Sequence, residues 1–202
     1  RLEKDLFVKA KELNKRRQKA KLIFENDVTS VIRQLAMPHG VFEIKLENTE
    51  GLTSNGVDAA VFMFSANKGH APENMAKAAS GGELSRLMLA IKSIAARNNY
   101  IPTLIFDEID TGVSGEVASK LGDIMKNMGM TLQLISITHL PQIASKAKNH
   151  FFVYKTIVEE KTHSNIKVLT QEERVTEIAK MLSNAEVTAE AIKAAEVLLQ
   201  TC

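Results

Sequence analysis

Three short stretches of this 202-residue chain combine residue types that can handle phosphate and a metal ion. The first is Ser80-Gly81-Gly82-Glu83. Ser80 and Glu83 have the spacing of a helix capping box, in which the serine oxygen takes a free helix N–H and the glutamate reaches back to the cap. Two glycines would then fill the first helical positions, where each costs up to about 1 kcal/mol relative to alanine. A cap alone gains nothing from them. Bare N–H groups at the positive end of a helix dipole do suit a phosphate. An ordinary cap and an anion site are both open on these residues alone.

The second stretch is Asp107-Glu108, which follows the apolar and β-branched run 103–106. Such a run reads as a strand buried on both faces of a parallel sheet. Two adjacent carboxylates are costly to bury without a partner. A cation is one partner: Asp107 would hold Mg²⁺ through water, and Glu108 would polarise the water that attacks a γ-phosphate. The plainer alternative is that the strand ends there and both acids face solvent. The third is His139, after a second apolar strand at 131–138. A lone histidine is ordinarily a surface or hydrogen-bonded polar residue. If the two strands run parallel, His139 reaches the same carboxyl edge as Asp107, which is where open α/β sheets bind ligands.

The elements around these stretches are readable from pattern. On the helix that Ser80 would open, Leu84, Leu87, Met88, Ile91, Ile94 and Ala95 share one face, as a helix covering a sheet requires. Ser85 and Arg86 point elsewhere, Arg86 toward phosphate, an acidic partner or solvent. A helix over 116–128 links the two strands. Pro141 falls in the first turn of a short helix. Residues 151–156 and 166–170 read as paired strands, and 172–182 and 187–199 as two closing helices. Upstream, 2–36 contains no Gly or Pro and reads as one helix whose apolar residues drift from a weak coiled-coil seam (Leu6, Leu13, Ala20) to a packed stripe (Val28, Val31, Leu35). Met37-Pro38-His39-Gly40 breaks it. Residues 41–47 alternate as a half-buried strand and pair with 57–65 across a loop of about nine residues that contains Asn55-Gly56. A polar loop over 66–79, with His70 on the surface, leads to Ser80.

In this order and spacing, the stretches resemble the C-terminal half of an ATP-binding-cassette ATPase head. Ser80-Gly81-Gly82-Glu83 matches the signature motif, Leu104-Ile105-Phe106-Asp107-Glu108 the Walker B strand, Asp110 the D-loop and His139 the switch histidine. Longer runs resemble the RecN family of bacterial SMC-like DNA repair proteins. These are Phe64-Ser65-Ala66-Asn67-Lys68-Gly69, Ala79 through Arg86, Phe106-Asp107-Glu108-Ile109-Asp110-Thr111-Gly112-Val113-Ser114-Gly115, Ile137 through Gln142, and Glu177-Ile178-Ala179-Lys180-Met181-Leu182. The Asp-Thr-Gly-Val-Ser-Gly run is the most specific, because transporter cassettes usually differ there.

The resemblance implies an α/β fold: the C-terminal lobe of a cassette head, a mixed or parallel sheet with flanking helices, preceded by a coiled-coil stub helix. It implies that residues 1–36 end a coiled-coil arm and 37–202 form half a head. Glu108 and His139 become the expected catalytic residues and Asp107 the Mg²⁺ ligand. Ser80, Gly81, Gly82, Glu83 and Asp110 become expected ATP contacts. It further implies double-strand-break repair on DNA in a nucleoid-associated, cytoplasmic protein.

A complete head needs the phosphate-cradling sequence G-x-x-x-x-G-K-[ST]. No Gly-Lys dipeptide occurs here, so this chain by itself is expected to be inactive. The expected partners are the P-loop-bearing N-terminal half, a second head across an ATP sandwich, and DNA. The opening residue, Arg1 rather than Met, points the same way, to a piece of a longer protein. Two other classes stay open: a non-catalytic dimerisation module, and a transporter ATPase subunit.

Composition is that of an ordinary globular protein, 45% hydrophobic and 25% charged. No apolar run nears the roughly 20 residues that span a bilayer. The single cysteine, Cys202, allows no internal disulfide, which is consistent with a reducing compartment. Residues 1–21 carry nine Lys/Arg against three acids, leaving the remainder of this +2 chain at −4. That basic helix either contacts DNA phosphates or is a solvated face. There is no Cys/His metal cluster and no internal repeat.

Overall fold

The computed structural model describes residues 2–78, 81–98, 101–107, 109–158, 161–183 and 186–200. The chain forms two compact units, residues 1–101 and 102–202.

In the first unit, helix α1 spans Leu2–Gln34, as the Gly- and Pro-free sequence predicts. Its C-terminal half is the anchored part: Val28, Ile32 and Leu35 are buried, spaced four and three residues apart, whereas Leu2, Leu6 and Leu13 are exposed. The helix stops where Ala36 takes a left-handed φ of 59° ahead of Met37-Pro38. Strands β1 (Val41–Thr53) and β2 (Gly56–Ser65) form an antiparallel hairpin, with Phe42 opposite Phe64. The nine-residue loop expected between them is instead mostly strand. The hairpin continues to Thr53 opposite Gly56, with an irregular register between Asn48 and Thr53. Gly56, at φ 106°, supplies the backbone conformation that the tight turn needs.

The outer edge of β1 is covered by α1 side chains. Lys21 Nζ donates to the Ile44 carbonyl at 2.8 Å, Ile44 N donates to Glu25 Oε1 at 2.6 Å, and Phe42 N donates to Thr29 Oγ1 at 3.3 Å. A strand edge left bare would invite pairing with another chain. Farther along, Arg17 bridges the Asn55 carbonyl and the buried Asp58 carboxylate. Phe24, Phe42 and Phe62 stack edge-on between helix and hairpin. The segment expected as loop holds a short strand, β3 (Glu73–Asn74), and one helical turn, α2 (Met75–Ala78), whose Ala76 N–H is capped by Asn74 Oδ1. Helix α3 (Gly81–Asn98) follows and packs on α1. It is buried more widely than one stripe, because Leu89, Ala90 and Ser93 join Leu87 and Ile94 in the interior.

The second unit begins with a β-α-β crossover. Strand β4 (Thr103–Asp107) pairs in parallel with β5 (Gln133–Ile137), and helix α4 (Gly115–Met128) connects them. Helix α4 buries Ala118, Leu121, Gly122, Met125 and Met128 on one face. The short helix α5 (Pro141–Ala144) has proline at its first position, where a missing N–H costs nothing. Gly122 lets α5 approach α4, since a Cβ there would lie 2.9 Å from the Gln142 carbonyl oxygen.

Strands β6 (Phe151–Val158) and β7 (Lys161–Val168) form an antiparallel hairpin longer than the apolar pattern suggests. Helices α6 (Gln171–Ser183) and α7 (Ala189–Gln200) close the unit. They meet around Ile178, Ala179 and Ala195, with Ala144 in the same cluster. Thr170 and Glu173 form a reciprocal capping box at the start of α6.

One expectation fails in this unit. The β4–β5 pair is not buried on both faces: Ile105, Ile135 and Ile137 are 60%, 45% and 56% exposed, while Phe106 lies in the core. An apolar run records what the strand tolerates. Burial on both sides also requires a covering element for each face.

Candidate nucleotide-handling edge

The parallel register sets Asp107 opposite Ile137, so Thr138 and His139 leave β5 at the edge where Asp107 leaves β4. Asp107 is exposed, and its side chain makes no hydrogen bond or ion pair among the described residues. The His139 side chain is 71% exposed. Expected metal ligand and expected switch histidine therefore share the carboxyl edge of one parallel pair, as the sequence predicts. Glu108, expected as the catalytic base, lies outside the described residues.

Asp110 differs from its neighbours in having no exposed surface. The turn that carries it is fixed at both ends by buried Ile109 and Val113, and Val113 N donates to the Asp110 carbonyl at 3.0 Å. Gly112 (φ 73°) and Gly115 (φ 55°) take left-handed conformations, so two glycines of the Asp-Thr-Gly-Val-Ser-Gly run have a backbone reason. The Asp110 carboxylate points toward the end of β5. Its Oδ2 accepts the Thr138 hydroxyl and, at 3.3 Å, the His139 N–H, and lies 3.5 Å from His139 Nδ1. The Thr138 hydroxyl oxygen in turn accepts the Leu140 N–H at 3.0 Å. Asp110 Oδ1 is buried with no hydrogen-bond partner among the described residues. Thr138 is the residue that sequence reasoning missed. Its position directly before the histidine was the available signal.

In the first unit, Gly81 and Gly82 open α3 as predicted, with Glu83 in the first turn. Ser80 lies outside the described residues. A Cβ on Gly81 would meet nothing within 4 Å, and its φ is not left-handed. Among the described residues, neither packing nor backbone requires glycine there. Ser85 Oγ donates back to the Gly81 carbonyl at 2.9 Å, and Arg86 Nε is buried without a hydrogen-bond partner among the described residues.

Among the described residues no three His, Cys, Asp or Glu side chains converge as a metal cage. Asp107 alone still fits Mg²⁺, which commonly takes one or two carboxylates plus phosphate oxygens and water. No helix among the described residues is long and apolar enough to cross a membrane.

No protein-family model matches the chain. Among curated proteins, it is 38% identical over 191 residues to the DNA repair protein RecN of Haemophilus influenzae, covering 94% of this chain and 34% of that protein. It is 41% identical over 198 residues to RecN of Rickettsia conorii, covering 98% and 36%. The chain thus spans about a third of the length of these relatives. Among solved structures, an SMC head domain with coiled coil and joint from Pyrococcus yayanosii superposes with a TM-score of 0.61 at 21% identity, over 80% of this chain and 28% of that one. An SMC head bound to the C-winged helix domain of ScpA gives 0.59 at 19% identity, over 79% and 46%. These likenesses establish a mixed α/β fold of the SMC-head kind with a long N-terminal helix. Over nearly its whole length, the chain is a homologue of the DNA repair protein RecN, matching about a third of the length of each of these relatives.

Proposed function

We propose that this chain is the signature- and Walker B-bearing half of an SMC-like ATPase head in a RecN-type DNA repair protein. Residues 1–36 end the returning coiled-coil arm, and 37–202 form the half-head. The observation that carries the reading is the parallel β4–β5 register, which delivers Asp107 and His139 to one edge of a sheet. The exposed Ile105, Ile135 and Ile137 support a further layer on that sheet, and the P-loop-bearing N-terminal half is the layer we assign. ATP-driven dimerisation, named for an SMC ATPase of similar fold (TM-score 0.57), supports a two-fold arrangement of heads.

In the assembled head, ATP would supply the transferable γ-phosphate and Mg²⁺ would supply charge neutralisation. Asp107 would hold the metal ion. Glu108 orients and polarises the attacking water, and His139 contacts the γ-phosphate from the same side. Ser80, Gly81 and Gly82 would reach the nucleotide of the opposite head. The space around Gly81 supports that close approach. Glu83, in the first turn of α3, belongs with Ser80, Gly81 and Gly82, and Asp110 belongs with His139. DNA is the polymer on which head engagement acts, and the working compartment is the cytoplasm.

ATP hydrolysis tests the reading. This chain alone should be inactive, and combining it with the P-loop half should restore turnover that linear duplex DNA raises. The Glu108→Gln substitution should abolish turnover while ATP still binds. Wild-type turnover by that variant would remove Glu108 from its role. Nucleotide-independent self-association without any hydrolysis would favour a purely structural module.

A further inference from the structure

We propose that Asp110 is the positioning residue for His139, fixing both its backbone and the imidazole nitrogen that carries the proton. The inference deepens the assignment of His139 as the phosphate-contacting residue and, in its functional meaning, rests on it.

One carboxylate oxygen serves three groups from residues 138 and 139. Asp110 Oδ2 accepts the Thr138 hydroxyl and the His139 N–H, and it faces His139 Nδ1 at 3.5 Å. Thr138 passes the restraint on to the Leu140 N–H. The first three residues beyond β5 are therefore tied to a turn that begins just after β4. The tie is stiff because Asp110 is fully buried and its turn is anchored by Ile109 and Val113. It has no freedom to follow solvent.

The imidazole is the consequence of interest. A neutral histidine carries one proton, and the partner of one nitrogen decides which nitrogen holds it. An unpartnered imidazole favours Nε2–H. At 3.5 Å the contact to Asp110 is an ion-pair distance rather than a good hydrogen bond, yet its sign is clear: a carboxylate beside Nδ1 favours the proton there. In the neutral ring Nε2 is then a lone-pair nitrogen on the edge remote from Asp110, on a ring that is 71% exposed; contact with a phosphate oxygen, itself an acceptor, uses the doubly protonated ring, with Nδ1–H toward Asp110 and Nε2–H toward the phosphate. Asp110 acts on the site through His139, without itself reaching the nucleotide.

The test needs no nucleotide. Imidazole ¹⁵N spectra of this chain, recorded with His139 neutral, should show a protonated Nδ1 and a pyridine-type Nε2. Asp110→Asn, which can aim an amide N–H at Nδ1, should shift the tautomer ratio toward Nε2–H by about tenfold or more. Thr138→Val, which leaves the carboxylate charge in place, should keep the Nδ1–H form. A wild-type spectrum dominated by Nε2–H would overturn the proposal, and so would a folded Asp110→Asn protein with an unchanged ratio. If Asp110→Asn does not fold, the wild-type and Thr138→Val spectra still decide. Failure of ATP turnover in the assembled head with the Nδ1–H form intact would refute the ATPase reading and leave the Asp110 assignment standing.

Discussion

The hydroxyl of Thr138 donates to Oδ2 of Asp110 across 28 residues of sequence, closing the loop between the two parallel strands at their carboxyl edge. Neither side chain is expendable in that setting. Thr138→Val keeps the shape and removes the donor, leaving a buried carboxylate with one partner fewer. The expected loss is about 1–3 kcal/mol of folding stability. In urea unfolding it should appear as a lower midpoint at an unchanged slope. An unaltered midpoint would mean that Asp110 is satisfied without the threonine.

Gly122 sets how closely the segment after His139 can pack. Its missing Cβ leaves room for the Gln142 carbonyl oxygen, which would otherwise sit at 2.9 Å, and for Lys146 Cγ at 3.2 Å. Lys146 also pairs with Asp123 on α4. Gly122→Val should therefore cost about 1–3 kcal/mol through overpacking, and should move the amide signals of residues 139–146. Retained stability with unmoved signals would show that α5 is free to shift.

The glycines of the two chemical stretches should separate cleanly. Gly115→Ala places a Cβ in a left-handed conformation (φ 55°), at a cost of about 1–2 kcal/mol. Gly81→Ala meets open space and gains helix propensity, so stability should hold or rise by a few tenths to about 1 kcal/mol. The same Gly81→Ala change should lower ATP turnover of the assembled head, because a methyl group would stand where the nucleotide approaches. A stable Gly81→Ala head with full turnover would mean that this glycine has no functional role.

His150 gives the second unit a sensitivity to acid. Burial holds its imidazole below the usual histidine range, the Arg174 guanidinium lowers it further, and the Glu177 carboxylate opposes both. Arg174 is itself fixed by the Ala147 carbonyl at 2.7 Å and the Ser145 carbonyl at 3.4 Å. With a folded-state pKa below the unfolded 6.5, the unfolded chain binds the proton more readily. The stability due to neutral His150 is thus fully present above about pH 6.5 and is lost as pH falls through the folded value. His150→Gln should flatten that part of a melting temperature–pH profile. An identical acid limb in the variant would assign the effect elsewhere.

How far the sequence carries the structure depends on whether a feature is local. The helices and the parallel strands were legible because their apolar residues repeat at the right period, and Met37-Pro38 and Pro141 mark boundaries by backbone chemistry. The tip of the first hairpin was not, because Asn48 to Thr53 are mostly polar, with Leu52 the one large apolar residue, and largely exposed. They are held as strand by cross-strand pairing, by Thr53 Oγ1 donating to the Gly56 carbonyl, and by Arg17 reaching Asn55. The Arg17–Asp58 pair is 41 residues apart and leaves no local trace. At the candidate site, residue types and order located Asp107 and His139. That Asp110 is turned inward onto Thr138 depends on two chain segments meeting, which spacing alone does not encode.

The measurement that tests the central claim most directly is ATP hydrolysis by this chain combined with a P-loop-bearing RecN half, with and without linear duplex DNA. Each half alone and the Glu108→Gln variant serve as controls. The account predicts turnover only in the combined sample, raised by DNA and abolished by the substitution. Turnover by this chain alone, or equal turnover by the variant, would contradict it.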